Sequence, residues 1–94
     1  MDRAAEIETV ARSFLRHVKR NGRRGKWVWG KDAFDVAIEE CSELEWVHHT
    51  HEYPVARKAV TRVIADLMQN EFCDIEREKR GSYRSAPVFF RVRI

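Results

Sequence analysis

The chain has 94 residues, 44% hydrophobic and 35% charged, with a formal net charge of +3. Such a chain is expected to fold as one domain around a single modest core, and its composition is that of a globular protein rather than a disordered one. No apolar run approaches the roughly 20 residues that cross a bilayer.

The opening stretch, MDRAAEIETVARSF, has acids where a secretory leader has a basic start and an apolar centre, so the expected location is cytoplasmic. Cys41 and Cys73 sit in hydrophobic patterns without a CxxC spacing and read as buried free thiols. The net charge conceals strong segregation: −2 over residues 1–8, +8 over 9–31, −7 over 32–52 and +4 over 53–94. Blocks of this kind suggest one surface built for a polyanion and another that is not, although pairing between blocks accounts for part of the pattern.

The first predicted helix runs from about 2 to 20, with Ile7, Val10, Ala11, Phe14, Leu15 and Val18 as its apolar stripe. Arg12, Arg16, Lys19 and Arg20 lie mostly off that stripe and crowd the C-terminal half, where the helix dipole favours cations. The sequence NGRRG then ends the helix in a basic, glycine-containing loop.

KWVWG predicts a short strand over about 26–29, with Val28 on one side and Trp27 and Trp29 on the other. The two tryptophans can stack on nucleobases, but sealing a small core is the expectation. Asp32 is suited to cap a second helix over 32–45, buried through Phe34, Ala37, Ile38, Cys41 and Leu44. Asp35, Glu39, Glu40, Glu43 and Glu45 make its outer face acidic, a poor surface to lay against phosphate.

His48, His49 and His51 place three imidazoles within four residues. There is no cysteine at matching spacing and no HExxH, so exposed turn histidines are the reading and no metal is assigned. A pH-dependent phosphate contact is the middle alternative.

PVARKAVTRVIADLMQN predicts a helix over 54–70, with Pro54 at the first position, where a missing N–H costs nothing. Ala56, Val60, Val63, Ile64 and Leu67 line one face; Lys58, Thr61, Arg62, Ala65 and Gln69 line the other, with Arg57 on the flank. Beyond Asn70 the period changes to two, predicting a hairpin over 72–94. Cys73 and Ile75 oppose Asp74, Glu76 and Glu78 on the first strand, while Val88, Phe90, Val92 and Ile94 oppose Phe89, Arg91 and Arg93 on the second. The acidic and basic outer faces can pair across the ladder. The tip, with Lys79, Arg80, Tyr83 and Arg84, is read as free of carboxylates.

Helix, short strand, helix, turn, helix and basic-tipped hairpin form an α+β order that resembles the winged helix-turn-helix family of DNA-binding domains. YPVARKAVTRVIADLMQNEFCDIE, running into KRGSYRSAP and VFFRVRI, carries the likeness, which looks like a recognition helix passing into the wing. Modules of this size resemble small transcriptional regulators of prokaryotes, their plasmids and viruses.

The resemblance implies sequence-specific binding of double-stranded DNA. Lys58, Thr61, Arg62 and Gln69 would face base edges in the major groove, Arg57 would reach a phosphate, and Lys79, Arg80, Tyr83 and Arg84 would touch the backbone or minor groove. Arg23, Arg24 and Lys26 add phosphate contacts if their loop lies on the same side. A two-fold homodimer is the expected assembly, with helix 1 or the acidic helix 2 as its surface.

Two features depart from the family's pattern: the long connection from Trp46 to Tyr53, and the acidity of the second helix. The latter supports an alternative, a protein-binding winged-helix adaptor or viral effector that meets a basic partner through residues 32–52. RNA binding is a third reading, supported by Trp27, Trp29 and Tyr83 among basic residues. No P-loop, GxGxxG, GxSxG or recognisable carboxylate pair is present, and Cys41 lies in an apolar stripe, so neither an enzyme nor a cofactor is expected.

Overall fold

A computed structural model describes residues 2–48 and 53–93, with the side chains of 53–56 left out. Helix α1 spans Arg3–Asn21 and opens on Asp2, whose side chain accepts the Ala5 N–H at 2.8 Å. Its whole predicted stripe, from Ile7 to Val18, is buried. The Gly22 N–H caps the helix on the Val18 carbonyl at 2.6 Å, and the Gly22 carbonyl accepts the Val92 N–H at 2.7 Å. A Cβ on Gly22 would stand 2.8 Å from the Val18 oxygen and 3.1 Å from the Arg91 Cα, so this crossing of helix end and strand needs glycine for space.

A 3-10 turn at Arg23–Gly25 leads to strand β1, Val28–Trp29, shorter than the predicted 26–29. Helix α2 then spans Gly30–Glu40, whereas 32–45 was expected with Asp32 as cap. The chain turns directly out of β1, and Asp32 lies inside the first turn, where its charge complements the helix dipole. Gly30 allows that tight exit, since a Cβ there would sit 3.0 Å from the Val88 oxygen and 3.1 Å from the Phe90 ring.

The second helix stops five residues early, and a separate helix α3, Glu45–His48, follows. The restart is anchored on α1. The buried carboxylate of Glu6 accepts the N–H groups of Glu45 and Trp46, each at 3.1 Å. Those donors are free only at a fresh helix start.

Helix α4, Tyr53–Asn70, has Pro54 in its first turn and buries Val60, Ile64 and Leu67, with Val63 half-buried. The Ala56 side chain, His49, His51 and Ile94 lie outside the described residues. The hairpin is trimmed from the expected 72–94 to β2, Ile75–Lys79, and β3, Val88–Val92. Phe72 to Asp74 form a turn closed by Ile75 N–H on the Phe72 carbonyl at 3.2 Å, which delays the strand. Cys73 is therefore exposed rather than buried, its thiol 3.4 Å from the Gln69 carbonyl; Cys41 is buried, and both thiols are free.

The sheet is antiparallel in the order β1–β3–β2. This is an α+β architecture of four helices and three strands among the described residues, an order compatible with the expected winged helix. Helix α1 is central, packing on α2, α4 and β3, and Phe14 meets Phe90 edge to face with centroids 5.0 Å apart. No helix among the described residues is long and apolar enough to cross a membrane.

Candidate nucleic-acid interface

Burying Val60, Ile64 and Leu67 turns the other side of α4 to solvent: Arg57, Lys58, Thr61, Arg62, Ala65 and Gln69 are all exposed. Asp66, which the sequence reading passed over, is exposed beside them. Thr61 donates its hydroxyl to the Arg57 carbonyl at 2.7 Å. It therefore offers a base its methyl group or a lone pair, but no proton. That suits a thymine methyl, or an amino group of adenine or cytosine, and not a phosphate.

A residue missed from sequence lies across from this helix. The register sets Arg77 opposite Phe90 and Lys79 opposite Val88, in the same row of β2 as buried Ile75. Arg77 joins Arg57 and Thr61 around a cavity of about 80 Å³ floored by Phe14, Phe34, Ile64 and Phe90. Two-residue alternation counted from Ile75 was the signal that could have found it.

The wing tip divides. Lys79 and Arg84 are exposed and make no ion pair with a described carboxylate, and Tyr83 is 69% exposed. Arg80 does not fit the carboxylate-free tip. Its Nε donates to Glu78 at 2.9 Å, and its guanidinium lies 4.0 Å from the Phe89 ring centroid and 5.5 Å from that of Trp27. Residues two apart share a strand face, so Glu78 is its natural partner.

The same outer face holds Arg91, which pairs with Glu76 and stacks 4.1 Å over Trp27, and Arg93, 3.8 Å from Glu76. The acid–base match expected across the hairpin is thus made at Glu76. The tryptophans do not seal the core: Trp27 is half-buried beneath two guanidiniums, and Trp29 is 41% exposed with the Lys31 ammonium 5.5 Å away.

Arg23, Arg24 and Lys26 are exposed, but their loop does not border the α4–β2 cavity. Val92 N–H on Gly22 at 2.7 Å and Arg91 Nη1 on the Gly25 carbonyl at 3.4 Å hold it at the end of β3 away from the wing tip. Arg23 itself bonds the Lys19 carbonyl at 3.2 Å.

The acidic block is only partly paired. Glu40 accepts Ser13 Oγ at 2.5 Å and lies 3.6 Å from Arg20; Asp35 takes Lys31 at 3.2 Å. The Ser13 bond, then the nearby cations, lower the Glu40 pKa below the ordinary carboxyl value. Asp32, Glu39, Glu43 and Glu45 are exposed and form no ion pair among the described residues. His48 is exposed at the end of α3. Burial raises the Cys41 thiol pKa and favours its neutral form.

No protein-family model matches the chain, and neither the curated proteins nor the solved structures contain a match to it.

Proposed function

We propose that the chain is a winged helix-turn-helix module that binds double-stranded DNA sequence-specifically, as a small transcriptional regulator. The carrying observation is how the cations are partitioned. Arg12, Lys19, Arg20, Lys31, Arg80, Arg91 and Arg93 are paired with carboxylates. Arg57, Lys58 and Arg62 on α4, and Arg77, Lys79 and Arg84 on the wing, have no carboxylate partner among the described residues. Arg3, Arg16, Arg23, Arg24 and Lys26, on α1 and the loop after it, are likewise without a carboxylate partner among the described residues. Helix α4 and the wing together nonetheless hold six uncompensated cations, with Arg57 and Arg77 bordering one cavity, the kind of surface a polyanion requires.

In this reading α4 enters the major groove, roughly 12 Å wide, and presents Lys58, Thr61, Arg62 and Gln69 to base edges. Lys79, Tyr83 and Arg84 follow the flanking backbone or minor groove. Two modules would associate as a homodimer on a pseudo-palindrome, in the cytoplasm with the DNA. About six neutralised phosphates imply a loss of a thousandfold or so in affinity between about 50 and 200 mM salt. Fluorescence anisotropy with a labelled random duplex tests this, and absence of duplex binding at the lower salt rejects the reading.

A second reading rests on Asp32, Glu39, Glu43 and Glu45, exposed without ion pairs among the described residues. They suit a basic protein partner. A module of that kind would show little salt-sensitive affinity for duplex DNA, and an RNA-binding one would prefer single-stranded RNA in a parallel titration.

A further inference from the structure

We propose that Arg57 of α4 and Arg77 of β2 close on one and the same backbone phosphate of the duplex, seated at the mouth of the cavity they share. This rests on the DNA-binding reading and adds to it a physical link between helix and wing.

The cavity brings together two arginines from different elements, neither held by a carboxylate among the described residues. Both are exposed, and Arg57 is steadied by the Phe34 ring, 5.6 Å from its guanidinium carbon. The two arginines carry like charge at the rim of one cavity, and an anion seated between them would be attracted by both. A guanidinium presents paired N–H donors that match phosphate oxygens.

The cavity is small, about 80 Å³, and opens to solvent, which suits one phosphate group at its mouth with the rest of the strand lying outside. Thr61, the other polar residue there, gives its proton to the Arg57 carbonyl and does not compete as a ligand. Arg57 also borders an adjoining cavity of about 340 Å³, but the second cation there, Lys31, is already 3.2 Å from Asp35 and 5.5 Å from the Trp29 ring, whereas Arg77 has no carboxylate partner among the described residues.

The test is a double-mutant cycle of Arg57→Ala and Arg77→Ala on a random duplex at several salt concentrations. Inorganic phosphate is also titrated into the free protein and followed by NMR at the two arginine Nε–H groups. Each single substitution should weaken duplex binding about tenfold. The double substitution should cost little more than the worse single one, and should flatten the slope of log K against log salt by about 0.9, one phosphate. Inorganic phosphate should shift both Nε–H signals with one dissociation constant, and either alanine should abolish the response of the other.

A hundredfold loss in the double variant with a slope change of about 1.8 would mean two separate phosphates and overturn the shared seat while leaving DNA binding intact. If the wild type ignored duplex DNA yet phosphate still moved both arginines together, the shared anion seat would stand and the regulator reading would fall. Independent responses, or none, to inorganic phosphate would overturn the seat.

Discussion

The carboxylate of Glu6, buried on α1, accepts the backbone N–H of Trp46 at 3.1 Å and so fixes where the chain restarts as a helix after the acidic segment. Its second oxygen holds the Glu45 N–H at the same distance. Hydrogen bonds to a charged acceptor contribute about 1.5–3 kcal/mol each when buried, and less where water can replace them. Trp46 is half-buried and Glu45 exposed, so Glu6→Ala should cost roughly 2 kcal/mol and lower the melting temperature by about 10 °C. Glu6→Gln, which keeps one acceptor, should lose about half of that. An unchanged thermal melt by circular dichroism for Glu6→Ala would show that α3 does not depend on this cap.

The same contact marks where sequence reasoning stopped. The stripes of α1 and α4, the strand at Val28 and the hairpin were legible because a helix or strand that buries one face repeats at its own period. The break at Cys41 was not legible, since Phe34, Ala37, Ile38, Cys41 and Leu44 keep helical spacing straight through it. What restarts the chain as α3 is a tertiary partner about 40 positions away, invisible to a local pattern. The site divides likewise. The exposed face of α4 followed from helical geometry, whereas the neutralisation of Arg80 needed its ring contacts with Phe89 and Trp27. Arg77 was legible in principle from its place two residues after Ile75, but an arginine in the row of a buried isoleucine breaks the apolar–polar alternation that marks a strand's inner face.

Arg62 and Arg84 should separate base reading from backbone holding. Both are exposed and neither has a carboxylate partner among the described residues, but Arg62 lies on the α4 face that would enter the groove and Arg84 on the wing loop. Arg62→Ala should cost about 1–3 kcal/mol on the preferred site and much less on random duplex. Arg84→Ala should weaken both alike and reduce the salt slope by about one. Equal losses on specific and random DNA for both variants would refute this division of labour.

Arg80 and Lys79 are neighbours on the wing with opposite expected roles. Lys79 faces the Val88 row without a carboxylate partner among the described residues, so Lys79→Ala should lower the salt slope by about one. Arg80 is held by Glu78 and lies over Phe89, so Arg80→Ala should leave the salt slope nearly unchanged. Its cost should be in folding, about 1 kcal/mol for a partly exposed cation–π contact and ion pair. Thermal melts beside salt-dependent anisotropy measure both quantities. A slope change for Arg80→Ala equal to that for Lys79→Ala would mean that Arg80 leaves Phe89 to meet phosphate.

Acid should weaken the fold through Glu40 and Glu71. The Ser13 hydroxyl, followed by Arg20 and other nearby cations, lowers the Glu40 pKa, and the Arg12 hydrogen bond lowers that of Glu71. A carboxyl depressed in the folded state contributes stability that is fully present above its unfolded value, near 4.5, and is lost as pH falls through the folded value below it. The melting temperature should therefore begin to drop as pH falls below about 5. Ser13→Ala removes the largest cause at Glu40. At pH 7 it should cost about 1 kcal/mol, the low end for a bond to a charged group, because the Glu40 side chain is 44% exposed. As pH falls and Glu40 protonates in both proteins, the gap between variant and wild type should narrow. A gap that stays constant from pH 7 down to about 3 would show that Ser13 contributes packing alone and does not hold the Glu40 charge.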